Sequence, residues 1–193
     1  MVLKEKIKNA AHFLMYDLRN PVFWGRASHR NWGDDMNPWL FNKLTGKKAT
    51  YCPHKSRQRF LMAGSILTEA GEYDTCWGTG VISAELAPSL KLSTALAVRG
   101  PLSARLLEES DVEPPSIYGD PGLIAAHLIK LPSDKKYKHS IIPHYIDRKD
   151  GEALAQEIGF HIINVDLPIE NFIEEVAASE TIFSTSSVRS HAF

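Results

Sequence analysis

The stretch Asn31-Trp32-Gly33-Asp34-Asp35-Met36-Asn37-Pro38-Trp39-Leu40 places a chain-breaking glycine, two adjacent carboxylates and two tryptophans close together. Before it, Pro21-Val22-Phe23-Trp24-Gly25 reads as a short apolar strand. After it, residues 39 to 44 carry apolar side chains at helical spacing and stop at Thr45-Gly46. A strand, a Gly/Asp-rich loop and a helix, in that order, make a place where a nucleotide, phosphate or sugar meets a helix N-terminus. Asn37 is the expected N-cap, with Pro38 at the first helical position, where its missing N–H costs nothing. A plainer reading of the same residues is a tight βα turn, with Gly33 supplying backbone freedom and Asp34 and Asp35 serving as turn or cap residues.

Further short segments repeat this character. Gly64-Ser65, Gly78-Thr79-Gly80, Arg99-Gly100 and Gly119-Asp120 each follow a run that reads as a strand. The runs are residues 48–52, 59–64, 75–81, 93–98 and 116–118, and helices are expected over 102–109 and 123–128, the first opened by Pro101 and the second preceded by Pro121. Strands alternating with helices predict an α/β domain with a mostly parallel sheet. In such sheets ligands bind outside the carboxyl ends of the strands, where all these glycine-bearing turns fall.

Between Lys130 and Lys136 the pattern turns polar and loses its period, which predicts a linker, with Asp134-Lys135-Lys136-Tyr137-Lys138 as a solvated charge cluster. Beyond it the alternation restarts: strand 140–145, helix 151–159, strand 161–165, helix 169–178 and strand 181–184. The expected organisation is a Rossmann-like domain over residues 1–130 and a partial second Rossmann-like domain over 137–193.

Composition narrows the function. The chain has 193 residues, 44% hydrophobic and 23% charged, with a net charge of −1. These are the proportions of an ordinary globular protein, with no electrostatic footprint for nucleic acid. No apolar run approaches a membrane span, and residues 1–18 read as a mixed-charge helix rather than a signal peptide. Cys52 and Cys76 lack metal-ligand spacing and are expected to be buried free thiols in a reduced, cytoplasmic protein. The eight histidines are dispersed, so no metal site is expected.

Taken in order, the segments resemble the polysaccharide pyruvyl transferase family. The matching pieces are residues 31–38, Gly64-Ser65-Ile66-Leu67, Trp77-Gly78-Thr79-Gly80-Val81, Val98-Arg99-Gly100-Pro101-Leu102, Tyr118-Gly119-Asp120-Pro121, Ile142-Pro143-His144-Tyr145, Ile163-Asn164-Val165, Ile173-Glu174-Glu175-Val176 and Phe183-Ser184-Thr185-Ser186-Ser187. They span about residues 30 to 187. The resemblance implies an architecture similar to glycosyltransferase-B, two Rossmann-like domains facing a cleft. It also implies transfer of pyruvate from phosphoenolpyruvate onto two sugar hydroxyls as a cyclic ketal, on an exopolysaccharide or its precursor. No cofactor is implied beyond that donor. The implied partners are phosphoenolpyruvate and a saccharide acceptor, lipid-linked or nucleotide-linked, handled in the cytoplasm or peripherally at the inner face of the membrane.

Phosphoenolpyruvate carries a phosphate and a carboxylate, which call for cationic and backbone N–H partners, and arginine suits both by bidentate bonding. Arg99 is the expected anion clamp, with a surface arginine before a helix as its alternative. His144 is the candidate acid/base and Asp34 the second catalytic candidate, with polar packing and a turn role as their alternatives. Asn31, Gly33, Asp35, Gly64, Ser65, Gly78, Thr79, Gly119, Asp120, Ser186 and Ser187 complete the expected substrate-binding set. In the family the final strand is followed by Ser-Ser-Leu-His-Gly and a further helix. Here Ser186-Ser187 lead into Val188-Arg189-Ser190-His191-Ala192-Phe193, so the second domain reads as cut short. A non-catalytic remnant or sugar-binding accessory domain, and a nucleotide-sugar glycosyltransferase, stand as alternatives at this point.

Overall fold

Five short strands form a wholly parallel sheet: β1 (Pro21–Val22), β2 (Thr50–Tyr51), β3 (Phe60–Leu61), β4 (Thr75–Trp77) and β5 (Thr94–Ala97), in the spatial order β2-β1-β3-β4-β5. They belong to a computed structural model that describes residues 19–26, 32–86, 89–144 and 146–185. The expected N-terminal helix over 1–18 and the candidates Asn31, Ser186 and Ser187 lie outside the described residues. The strand order is a doubly wound one. The chain steps from β1 outward to β2, then returns to the other side of β1 with β3, so the topological switch point lies between β1 and β3.

Helix α1 (Trp32–Thr45) crosses from β1 to β2 and buries Met36, Leu40 and Phe41. These three pack with Val22, Met62, Ala63 and Ala125 into one apolar cluster. A second cluster joins Leu61, Ile66, Leu67, Cys76, Val81, Val98, Ala104 and Leu107, the last two from helix α2 (Pro101–Glu108). Burial of each such leucine is worth roughly 1.5–3 kcal/mol.

α1 begins at Trp32, well before the expected start, so Asn37 is not its N-cap and Pro38 sits inside it. Proline has no N–H to give the carbonyl four residues back. Asn37 fills that gap, since its Nδ2 donates to Asp34 O at 3.1 Å. The same amide donates to Gly33 O (3.1 Å) and Ala63 O (3.2 Å). Its Oδ1 accepts from the N–H groups of Met62 (3.2 Å) and Ala63 (2.9 Å). One fully buried side chain therefore repairs the proline defect and ties α1 to the end of β3. Asn37→Ala is expected to destabilise the fold by about 2–4 kcal/mol in urea titrations, because buried backbone donors lose their acceptor. A midpoint unchanged from the parent would show that water replaces the amide.

The segment after Gly119-Asp120 also departs from expectation. Pro121–His127 is a 3-10 helix rather than an α-helix. Its ends are closed by three-residue bonds, Leu123 N to Asp120 O (3.0 Å) and Leu128 N to Ala125 O (3.1 Å).

A smaller parallel sheet holds β6 (Tyr137–Ile142), β7 (His161–Ile162) and β8 (Ser179–Ser184) in the order β7-β6-β8. Helix α3 (Arg148–Ile158) joins β6 to β7, and α4 (Ile169–Ala177) joins β7 to β8. Both sheets are Rossmann-like in their parallel α/β pattern. The charge cluster at 134–138 is not all linker: Tyr137 and Lys138 belong to β6. The Tyr137 ring stacks on His161 with centroids 3.5 Å apart, and Lys135 Nζ donates to Ala177 O (2.6 Å), at the last residue of α4, and to Ser179 O (3.0 Å). A lysine at a helix C-terminus meets the carbonyls that lack helical partners.

α4 meets α1. Ile169 and Ile173 join the Met36–Leu40 cluster. Trp39 Nε1 donates to Glu170 Oε1 at 3.2 Å, and Lys43 Nζ lies 2.8 Å from the same oxygen. Hydrogen bonding by Lys43, then by Trp39, holds the Glu170 carboxyl below its ordinary value.

Candidate functional site

The site grows from the carboxyl ends of the first sheet. Just past β1, the Gly25 N–H donates to Asp34 Oδ1 at 3.1 Å. A Cβ on Gly25 would lie 2.7 Å from both Asp34 oxygens, so the chain leaving β1 passes hard against this carboxylate. Asp34 and Asp35 lie in the first turn of α1, where the helix dipole favours negative charge. Gly33, in the same turn, faces the loop after β3: its carbonyl oxygen is 3.7 Å from where a Gly64 Cβ would stand.

The loops after β3 and β4 are stapled together. Gly80 N donates to Gly64 O (3.0 Å) and Leu67 N to Gly80 O (3.0 Å). Thr79, fully buried, donates from Oγ1 to Gly64 O (2.8 Å) and accepts from Ile66 N (3.1 Å). Its hydroxyl is thereby committed to loop backbone, and its part in the site is to hold Gly64-Ser65 in place. Gly78 is where this loop meets the next. Its φ is +119°, and a Cβ there would stand 2.4 Å from Pro121, so only glycine lets the two turns touch. Pro121 follows Asp120, whose own turn is set by the Val98–Tyr118 bridge and the Gly119 N to Val98 O bond (3.0 Å).

Arg99 ties the turns together. Its N–H donates to Thr79 O at 3.2 Å. One terminal nitrogen of its guanidinium donates to Ser65 Oγ at 3.1 Å. Its Nε lies 3.5 Å from Asp120 Oδ2, an ion pair longer than a hydrogen bond. Asp120 is held at that distance because its other oxygen caps the 3-10 helix, accepting from Gly122 N at 2.8 Å. The Arg99 side chain is 12% exposed against 39% for Asp120. The cation is thus mostly buried among loops following three strands, beside a partly exposed carboxylate.

Gly33, Gly64, Ser65, Gly78, Thr79, Arg99, Gly119 and Asp120 therefore form a contiguous chain of contacts, with Asp34 and Asp35 in the helix turn beside it. His144 belongs to the other sheet. It follows β6, its N–H donates to Thr185 Oγ1 (2.8 Å), and its Nδ1 accepts from Ile146 N (3.4 Å), bonds that tie it to loops of the second sheet. The arrangement around Arg99 can bind a small anion and, through Asp120, a hydroxyl. Burial pushes the Cys76 thiol up to about 11, so it stays protonated at neutral pH and is no nucleophile. Among the described residues, no group of three or more His, Cys, Asp or Glu side chains is placed to hold a metal ion. No helix among them is long and apolar enough to cross a membrane. Asn37 is the member of this region whose role the sequence pattern misassigned; the proline directly after it, within an amphipathic run, was the available signal.

The chain is similar to one curated protein of polysaccharide biosynthesis. Over 177 residues it is 27% identical to the succinoglycan biosynthesis protein ExoV of Rhizobium meliloti (strain 1021). The match covers 86% of this chain and 53% of that protein, so the chain spans about half the length of the curated relative it matches. No protein-family model matches the chain, and no solved structure matches it.

Proposed function

We propose that this chain carries the donor-facing part of a polysaccharide pyruvyl transferase, an enzyme that moves pyruvate from phosphoenolpyruvate onto sugar hydroxyls as a ketal. The observation that carries the reading is the Arg99 guanidinium, set between the loops after β3, β4 and β5 with the Asp120 carboxylate 3.5 Å away. The similarity to a succinoglycan biosynthesis protein supplies the saccharide side.

In the proposed reaction a proton adds to the methylene carbon of phosphoenolpyruvate, and C2 gains oxocarbenium character. A sugar hydroxyl adds to C2 and gives up its proton to a base. The C2–O bond to phosphate then breaks, a second hydroxyl closes the ketal at C2, and its proton passes to the departing inorganic phosphate. Arg99 would hold the donor's anionic groups, and Asp120 or Asp34 would take the proton from the attacking hydroxyl. His144 would act as acid from the second sheet. The acceptor would be a lipid-linked or nucleotide-linked saccharide, met in the cytoplasm or at the inner face of the membrane.

Ligand-induced stabilisation tests the donor. A ligand at a hundred times its Kd stabilises by about 2.7 kcal/mol, which corresponds to roughly 5–10 °C for a chain of this size. Phosphoenolpyruvate is expected to raise the melting temperature by that amount, and nucleotide-sugars to leave it unchanged. Stabilisation by nucleotide-sugars alone would make the protein a glycosyltransferase instead.

A further inference from the structure

Ser103 lies in the first turn of α2, two residues after Pro101, and is fully buried. Its Oγ has no hydrogen-bond partner, and neither does the buried Nε of Arg99. Both atoms converge on one point. A Cβ built on Gly80 would stand 3.0 Å from Ser103 Oγ and 3.3 Å from Arg99 Nε. The Ser103 hydroxyl is a buried polar group without a partner, which is costly to a fold, and the Arg99 Nε beside it has only the long ion pair to Asp120. α2 adds to the polarity of the spot. Its N-cap is Gly100, which offers no side-chain cap, so the positive end of the helix dipole is left unscreened by any capping side chain.

We infer that Gly80, Arg99 and Ser103 form an oxyanion subsite, in which one oxygen of a carboxylate or phosphate is held by the guanidinium and the Ser103 hydroxyl at the first turn of α2. The inference rests on the reading that Arg99 faces the donor, and it names the partners of the donor's anionic group. Ser103 Oγ turns to the oxyanion by rotation about a single side-chain torsion. Gly80 matters because a Cβ there would press on Ser103 Oγ (3.0 Å) and on Cβ of Arg99 (3.1 Å) and shift both partners of the oxyanion.

The test is isothermal titration of the chain and of Ser103→Ala and Gly80→Ala with inorganic phosphate, pyruvate and phosphoenolpyruvate, beside thermal unfolding without ligand. Ser103→Ala is expected to leave the unliganded melting temperature unchanged or raised, since it deletes a buried hydroxyl without a partner. It is also expected to weaken binding of the preferred ion about tenfold. Gly80→Ala is expected to weaken it at least as much. That opposition of stability and affinity is what a merely packed serine would not show. Which ion responds separates the two anionic groups: phosphate for one, pyruvate for the other. Parent-like affinity in both variants for all three ions overturns the subsite, even where phosphate is released from phosphoenolpyruvate. A parent chain that binds none of the three overturns it as well. Ser103-dependent binding of phosphate or pyruvate supports it, even if phosphoenolpyruvate binds no better than phosphate, the outcome that would sink the pyruvyl reading instead.

Discussion

Replacing Asp74 by asparagine is expected to lower stability by about 3–5 kcal/mol, the cost of leaving a buried charge without its partner. Arg59 precedes β3 and Asp74 precedes β4, so the pair lies at the amino-terminal ends of adjacent strands, and both side chains are fully buried. Arg59 Nε donates to Asp74 Oδ1 at 2.9 Å, and a terminal nitrogen donates to Oδ2 at 2.5 Å, a bidentate fork. The remaining donors reach Glu69 O (2.8 Å) and Cys52 O (3.4 Å), and Asp74 Oδ2 also accepts from Gly71 N (2.7 Å). The guanidinium lies 4.7 Å from the centre of the Phe23 ring. The network thus joins β1, β3, β4 and the crossover between the last two at the edge away from Arg99. Asparagine keeps the shape and removes the charge, so Arg59 is left ionised in the core. Arg59→Met combined with Asp74→Leu is expected to be more stable than the single Asp74→Asn variant, because no unpaired ion remains. Urea midpoints with slopes compared across the series make the measurement. A single-variant loss below about 1 kcal/mol would mean that water reaches the pair and screens it.

That pair also shows where sequence reading stops. The strands were legible because β-branched and aromatic residues bounded by Gly, Pro and Asp mark them, as at Thr75-Cys76-Trp77 before Gly78. The parallel order followed from alternation with helices, and the placement of Gly64, Gly78, Arg99 and Asp120 at one end of one sheet followed from that. What the sequence does not hold is the pairing of residues far apart in the chain. Arg59 heads the expected strand 59–64 and Asp74 lies just outside the expected strand 75–81, and only the β3–β4 register brings them face to face. Asn37 misled for a related reason. An Asn-Pro step favours a helix start locally, yet tertiary bonds to Met62 and Ala63 make it worth keeping inside the helix. The start of β6 at Tyr137 was hidden by lysines, because the stack of Tyr137 on His161 and the bonds of Lys135 to the end of α4 come from elsewhere in the fold. Arg99 was legible as a candidate by residue type and position. Its burial, and its bonds to Ser65 and approach to Asp120, were not.

Arg99→Ala is expected to weaken phosphoenolpyruvate binding by about 2–5 kcal/mol, or roughly 30-fold to several-thousand-fold. The range follows from removing a walled-in cation that meets an anion by charge-assisted bonds. Burial matters here: the guanidinium is 12% exposed, so water screens it far less than it screens the exposed Arg105, at 73%. The fold should tolerate the change, because Asp120 is partly exposed and keeps its cap bond to Gly122, and Ser65 can turn to water. Arg99→Lys separates charge from geometry. A lysine retains the positive charge but cannot bond Ser65 and an anion from one planar group, so binding should fall between alanine and the parent. Calorimetric titration of the three proteins, each checked for a parent-like melting temperature, gives the comparison. If alanine binds phosphoenolpyruvate as the parent does, the donor lies elsewhere, and the turns after β1, β3 and β4 are left to the acceptor sugar. If lysine binds as well as arginine, the site reads charge alone, and the guanidinium's bond to Ser65 positions the loops rather than the ligand.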